Sequence, residues 1–562
     1  MKKFLCGFFG VILCFSIVCP VYAAKDIGNI EGTLTPKLLK AGSVVDSKGQ
    51  ILAKEKKESI IITPISKVES EDDISVIEYQ KFATGEKRLT DVNGLEKQVK
   101  KVLGENSDVD SLYIRDYFNL TLNSEKNELL KEKGITIDLT FESGVGKKEK
   151  VFAIYLHDDK WKCIDSVKNN GDGTVTATFE ELSTVAFLVA EETIDVVERE
   201  ELQIREYHTE IEIWSMVAVI SFGLIVVLLC LRFGDANQRL QALLVRKVFT
   251  VALLICALIF VLGEVQMDRY KKLQKEADGM KGLKLISVEG QKYLEREDVT
   301  TILLMGINQP GTVEGSEFYR NEGTADIIML LAFDEKEKNY SIIQIDRNTM
   351  VDMNVLGISG NISGTTHGQI ALTHTYGTGL EDSCENVRQT VSYMFDGMPI
   401  DYYAAINLEA LKKMTEMVSG VTVDVKEDFS VFNASLVKGE LLLNGEQSVS
   451  YVSVYGDGKL SLAKTHMMRQ KEYAEKFIEA LNAKLRPYPD YVIQMYDEIY
   501  DYMVTDISTE NLYELSEKYS EYELKEIVSL EGKIKDGTRY IEFHPDKEKL
   551  EKLSLKMFYK KK

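Results

Sequence analysis

TADIIMLLAFD (residues 324–334) and YSIIQIDRNTMV (residues 340–351) decide how this chain is read. The first is apolar almost without a break, the second runs largely apolar to Ile345 and then delivers Asp346, Arg347 and Asn348, and the turn that joins them, DEKEKN, is polar throughout. Continuous apolar runs of this length predict strands covered on both faces, not strands with one wet face. A hairpin closed symmetrically about Lys336 and Glu337 puts Phe333 opposite Tyr340. The same register puts Asp326 opposite Arg347, and a slip of one residue destroys that facing. Directly opposed residues have Cβ atoms about 4.5–5.5 Å apart, so a carboxylate and a guanidinium meet at one end of a buried sheet. Such a pair reads either as a structural ion pair over the sheet's end or as an anion site. In the second reading the guanidinium grips phosphate oxygens bidentately, and the carboxylate holds a Mg²⁺ that bridges the same phosphates.

The surrounding residues extend the pattern. Residues 302–306, 402–406 and 421–425 read as further strands. Residues 381–395 and 408–418 read as helices, and 462–485 as a longer one with Tyr473, Phe477, Leu481 and Leu485 on a single stripe. The expected architecture for 300–485 is an α/β/α domain with a mixed sheet, followed by a helical and strand extension over 486–562.

Two uncharged runs precede it. Residues 213–231 are long enough to cross a bilayer, and 248–267 form a second span whose uncharged run ends at Gly263. The link over 232–247 carries Arg232, Arg239, Arg246 and Lys247 against one acid, Asp235. The flank before the first span is acid-rich, from Glu191 to Glu201. That asymmetry predicts a helical hairpin with a short cytoplasmic turn and both large domains outside the cell membrane. Residues 1–23 read as a secretory leader: Lys2 and Lys3, an apolar stretch, then Val21 and Ala23 before a cleavage point.

Between leader and first span, residues 25–192 read as an all-β, sandwich-like domain, with strands near 59–66, 112–122, 135–141, 151–156 and 174–189 and a turn at 169–173. Residues 160–189 loosely resemble β-sandwich modules of Gram-positive surface proteins. A spacer or binding module is the expectation. The whole chain is thus a multidomain membrane protein of 562 residues, too long for one core. Its formal charge of −21 argues against a nucleic-acid binder. Cys163 and Cys384 are the two cysteines outside the leader and the spans, which excludes a disulfide framework, and six scattered histidines form no zinc motif.

Eight stretches in order carry a resemblance: ILLMGIN (302–308), TADIIMLLAFD (324–334), IIQIDRNTMV (342–351), QIALTHTYGTG (369–379), PIDYYAAINLEALKKM (399–414), GVTVDV (420–425), LNGEQSVSYV (443–452) and MMRQKEY (467–473). Together, behind a membrane anchor, they resemble the LytR-CpsA-Psr (LCP) family of cell-envelope proteins. The resemblance implies a phosphotransferase outside the membrane. It would move a glycopolymer from a polyprenyl-pyrophosphate carrier to peptidoglycan, with Mg²⁺ and several Arg on the pyrophosphate. It implies Asp326 as the metal-binding acid, Asp326 and Arg347 as catalytic, and Arg347, Arg469 and Gln470 on phosphate. Lys464 and His466, in the first turns of the long helix, could substitute for cations the family usually has, as could Lys459 or Arg320.

The sequence also departs from the family pattern. Thr324 stands where an Arg is usual and Asn308 where a second metal-side acid is usual. Gln369 replaces a common Lys, and His466 an Arg. The stretch Tyr451 to Tyr455 carries neither of two Arg. A non-catalytic relative that binds polyprenyl phosphate or wall polymer, or serves as an envelope scaffold, is therefore the alternative expectation.

Overall fold

The structure is a computed structural model that describes residues 36–562 except 69, 123–133, 144, 147, 191–203, 234–242, 317, 431–432, 454–459, 486–490, 520 and 537–540. The expected leader, most of the expected cytoplasmic turn and Lys459 lie outside the described residues. The chain divides into two compact units.

The larger unit comprises the N-terminal domain and residues 298–554. The N-terminal domain has two five-stranded sheets. One orders its strands Ile51–Lys54, Lys37–Val45, Thr136–Glu142, Thr174–Phe179 and Val167–Asn169. The other orders Ile60–Pro64, Leu112–Leu122, Thr184–Ala190, Val151–His157 and Lys160–Cys163. Phe118, Leu120, Phe141, Phe179 and Phe187 fill one core drawn from both sheets.

Two differences from the sequence reading have physical causes. Residues 174–189 are not one strand, because Thr174–Phe179 and Thr184–Ala190 belong to different sheets. Nor is the domain all-β. Helices Ile74–Ala83 and Leu95–Leu103 pack Val76, Tyr79, Phe82, Leu95 and Val99 against the second sheet. That is why Thr184–Ala190 is buried almost residue by residue, while Thr174–Phe179 alternates. Asp73 starts the first of these helices by accepting from the Ser75 amide at 2.8 Å.

The second domain is built on a six-stranded mixed sheet ordered Met503–Thr505, Tyr402–Asn407, Val299–Ile307, Ala325–Asp334, Asn339–Ile345 and Glu523–Ser529. The central hairpin has the expected register, with Phe333 facing Tyr340 and the ladder running to Ile328 opposite Ile345. Both edge strands come from beyond residue 485, so the extension completes the sheet. Val421–Val425 pairs with Gly439–Leu443 in a separate hairpin outside the main sheet.

One face buries Leu304, Met329, Leu331 and Ile342 under helices Leu408–Met417, Gly445–Ser453 and Leu460–Leu485. On the long helix Tyr473, Phe477 and Leu481 are fully buried in this core. Leu303, Leu330 and Ile343, which alternate with them, are also fully buried. Helix Glu381–Met394, the short helix Ile370–Thr375 and hairpin Met350–Leu356/Ile362–Gln369 complete the domain.

The smaller unit holds residues 198–297 and 555–562. Helices His208–Phe233 and Leu243–Asp278 are antiparallel neighbours: Phe222 meets Phe260 and Tyr207 meets Tyr270. A Cβ on Gly263 would lie 3.3 Å from Ala218 Cβ, so glycine permits the close crossing. Both helices are long and apolar enough to cross a membrane, each with a mean hydropathy of 2.7 over its most apolar window. The C-terminal Tyr559–Lys561 is a strand paired with Gln291–Glu295.

Candidate functional site

Strand alternation puts Thr324 and Asp326 on one face at the end of the central hairpin. Asp326 Oδ1 accepts from Arg347 Nε at 3.0 Å and lies 2.8 Å from Arg347 Nη2. The Thr324 hydroxyl donates to the same oxygen at 2.8 Å. The two charged side chains are only 5% and 10% exposed. All three contacts use Oδ1. Thr324, which the sequence reading treated only as a missing Arg, is therefore a partner of the acid.

The rest of IDRNT builds the turn that aims Arg347. Asp346 Oδ1 accepts from the Asn348 amide and from Asn348 Nδ2, both at 2.9 Å. The Thr349 amide donates to Asp346 O at 2.9 Å. Gln369 Nε2 donates to Asn348 Oδ1 at 2.8 Å and to Ile541 O at 2.9 Å. Burial pushes the Asp346 carboxyl up, against the Asn348 hydrogen bonds and the nearby Arg347 charge. Asp346, Asn348, Thr349 and Gln369 thus serve the turn, while Arg347 turns back to Asp326.

The long helix supplies the opposite wall. His466, Arg469 and Gln470 recur at helical spacing and are all buried. Gln344, two residues before Asp346, donates to Met467 O at 3.2 Å and docks this helix on the hairpin. Gln470 Nε2 lies 3.1 Å from His466 Nε2. Burial, reinforced by the charges of Arg469 and Arg347, pushes the His466 imidazole well below its usual value, so it is neutral at pH 7. Arg469 Nε donates to Tyr451 O and Nη1 to Thr465 Oγ1, both at 3.0 Å, and its guanidinium lies 4.6 Å over the Phe429 ring.

The model of the LytR_cpsA_psr family matches residues 262–558, more than half of the chain. The chain belongs to the LytR-CpsA-Psr family. Among relatives, a Bacillus licheniformis protein named polyisoprenyl-teichoic acid–peptidoglycan teichoic acid transferase TagU is 26% identical over 160 residues, covering 28% of this chain and 44% of its own. A Bacillus cereus protein of the same name is 22% identical over 279 residues, covering 48% of this chain and 80% of its own. The chain thus spans less than half of the first relative and four fifths of the second. The crystal structure of Bacillus subtilis TagT is 19% identical, covers 46% of this chain and 90% of its own, and superposes with a TM-score of 0.33. Family membership rests on the sequence match.

Within this LCP domain the other expected candidates separate. Asp326, Arg347, His466, Arg469 and Gln470 come together, whereas the Lys464 side chain lies outside the described residues. Arg320, considered as a stand-in cation, is committed elsewhere. It donates to Tyr319 O at 2.6 Å, to Leu356 O, and to Arg115 O of the N-terminal domain at 2.7 Å, and it covers the Tyr376 ring. His374 is buried as well, with Nδ1 donating to Gly323 O at 2.7 Å.

Burial lowers the His374 imidazole from 6.5 to about 4. A histidine depressed on folding contributes stability that is complete above pH 6.5 and fades as pH falls toward 4. The loss is on the order of 3 kcal/mol. Urea midpoints measured between pH 7 and pH 4.5 should fall with acid, and His374→Gln should flatten that slope.

A divalent cation suits this donor set in one form only. Among the described residues no group of three or more His, Cys, Asp or Glu could hold a metal. Mg²⁺ needs fewer, since it takes one or two carboxylates and completes its shell with phosphate and water. Asp326 Oδ2 accepts no hydrogen bond among the described residues. Asn308 Oδ1, buried on the neighbouring strand end, likewise has no partner among the described residues. Its amide donates to Thr324 O at 2.8 Å, which puts it beside the acid's own strand. The orphaned Asn308 oxygen, which the sequence reading treated as a lost acid, fits a neutral ligand.

Proposed function

We propose that this protein transfers a glycopolymer from a polyprenyl-pyrophosphate carrier to peptidoglycan outside the cell membrane, anchored by its helical hairpin. The observation that carries the reading is the buried Asp326–Arg347 pair at the end of the central hairpin, with His466 near both Arg347 and Arg469. The names of the TagU relatives support it. In such a transfer an acceptor hydroxyl oxygen bonds to the sugar-side phosphorus, the phosphoanhydride bond breaks, and the lipid phosphate leaves with the electron pair. The hydroxyl proton passes to water. Arg347 holds phosphate oxygens while charge grows on the leaving group. Asp326 orients that guanidinium through Oδ1, and Thr324 fixes the carboxylate. Asp326 and Asn308 would hold Mg²⁺, which would supply further charge neutralisation at the phosphates.

A second reading, a non-catalytic LCP protein that binds polyprenyl phosphate, is favoured by specific contacts. Arg469 spends Nε and Nη1 on protein oxygens, His466 is neutral, and Arg320 sits at the domain seam. One experiment separates the two. The full chain in detergent is titrated with polyprenyl pyrophosphate with and without Mg²⁺, then supplied with a lipid-linked polymer and peptidoglycan. Mg²⁺-dependent binding with release of lipid phosphate is the expected result. Binding without release selects the second reading, and no binding overturns both.

A further inference from the structure

The N-terminal domain grips the LCP domain at two segments, and each adjoins one of the paired charges. The first is the connection 308–324, which joins the two central strands and runs directly into Asp326. Arg320 donates to Arg115 O, the Tyr319 amide donates to Tyr79 Oη at 3.4 Å, and Phe318 packs edge-on against Tyr79 at 4.9 Å. The second is hairpin Met350–Leu356/Ile362–Gln369, which begins three residues after Arg347. Its tip meets the N-terminal domain through Ile358 N to Ile114 O at 3.2 Å and Arg115 Nη2 to Thr365 O at 3.2 Å. Its base holds the Arg347 turn, with Ile370 N donating to Thr349 O at 2.8 Å and Ala371 N to Arg347 O at 3.2 Å.

Between seam and acid the chain has little freedom. Asn321, next to Arg320, donates to His374 O at 2.7 Å and Gly377 O at 3.0 Å and accepts from Gly323 N at 2.8 Å. Gly323 O is the acceptor of His374, and Thr324 binds Asp326. Three hydrogen bonds, Arg320 to Arg115, Gly323 to Asn321 and Thr324 to Asp326, joined by the peptide links 320–321 and 323–324, therefore run from the seam to Asp326. A small cavity of about 30 Å³ lies at the seam beside Arg115, Asp116, Tyr319 and Arg320. Asp116 Oδ2 is buried there with no hydrogen-bond partner among the described residues. Asp116 also lies near Arg320, although burial pushes the Asp116 carboxyl up.

We propose that the N-terminal β domain is a positioning part of the phosphate site, and that Arg320 is the positioning residue through which it keeps Asp326 and Arg347 facing each other. The affinity arm of this inference rests on the phosphate reading above; the conformational arm does not.

The test uses the full chain in detergent and three variants: Arg320→Ala, Arg320→Lys and Gly357→Ala. Gly357 is a wedge from the other side, since a Cβ there would lie 2.8 Å from Ile114 O. Amide hydrogen exchange at 319–326 and 345–349 and the affinity for polyprenyl pyrophosphate with Mg²⁺ are read together. Arg320→Ala and Gly357→Ala should each speed exchange at both segments, and weaken affinity, by about 5- to 150-fold, the usual range for coupled sites. Arg320→Lys should restore part of both. Exchange that rises only near 357–365, with 345–349 and the affinity unchanged, overturns the proposal. If Arg320→Ala does not fold, Gly357→Ala decides. If the wild type binds no pyrophosphate, the phosphate reading fails and exchange at 345–349 still decides the positioning claim.

Discussion

Asp326→Ala is expected to lower folding stability by about 3–5 kcal/mol, since removing one member of a buried ion pair leaves its partner's charge uncompensated. Arg347 would lose the acceptor of both Nε and Nη2, and the Thr324 hydroxyl would lose its acceptor too. Asp326→Asn separates stability from charge. The amide keeps an oxygen for Thr324 and for Arg347, so most of the stability should remain. If Asp326 contributes charge at the phosphate site, transfer should still fall by about 10²–10³, as when a preorganised polar group is removed from a transition state. Thermal melts and initial rates on the two variants check this. An Asn variant with unchanged rate and Mg²⁺ dependence would reduce the pair to a cover over the sheet's end.

Glu149→Ala should be equally damaging, although it lies in the other domain. Glu149 Oε2 accepts from Arg115 Nη1 at 2.7 Å and from the Gly146 amide at 2.6 Å, and Oε1 accepts from the Thr365 amide at 3.3 Å. Both charged side chains are almost completely buried. Truncation removes the counter-charge of a buried guanidinium at the seam, with an expected loss of about 3–5 kcal/mol. Glu149→Gln keeps the shape and one acceptor oxygen, enough for Arg115 and Gly146 but not also for Thr365, and should lose less. The hairpin side reports the same constraint: a Cβ at Gly364 would lie 2.7 Å from Glu149 Oε1. Urea midpoints for Ala, Gln and wild type, followed by protease cutting within 350–369, measure both stability and docking. A Glu149→Ala protein as stable and protease-resistant as wild type would remove the seam's energetic basis. It follows that the LCP domain should be tested in the intact chain, since a fragment starting near 268 lacks the Arg115, Glu149 and Ile114 contacts.

What could be read in advance was local. The central hairpin was legible because two apolar runs joined by a short polar turn fix the pairing about that turn. The pairing of Asp326 with Arg347 followed from that register. The two long apolar helices were legible by composition, and the stripe of the long helix by its spacing. The helices over the second N-terminal sheet carried a signal that strand reading obscured, namely an N-cap Asp73 before Val76, Tyr79 and Phe82. Thr324 could have been found from its position two residues before Asp326 on the same strand face.

The sequence by itself determined the family, the buried hairpin and which two charges meet at its end, because neighbours in a strand pair are set by short-range geometry. Tertiary structure decided which cations stand beside them. Arg320 is bound to a carbonyl 205 residues away, and His466 loses its charge because it is buried, with Arg469 and Arg347 nearby. Neither outcome is written in spacing or periodicity, since desolvation and long-range partners exist only once the chain has packed. The turn of IDRNT shows both levels at once: Asp346, Asn348 and Thr349 bond locally, and the fold alone supplies Gln369, Ile541 and the wall that Arg347 faces.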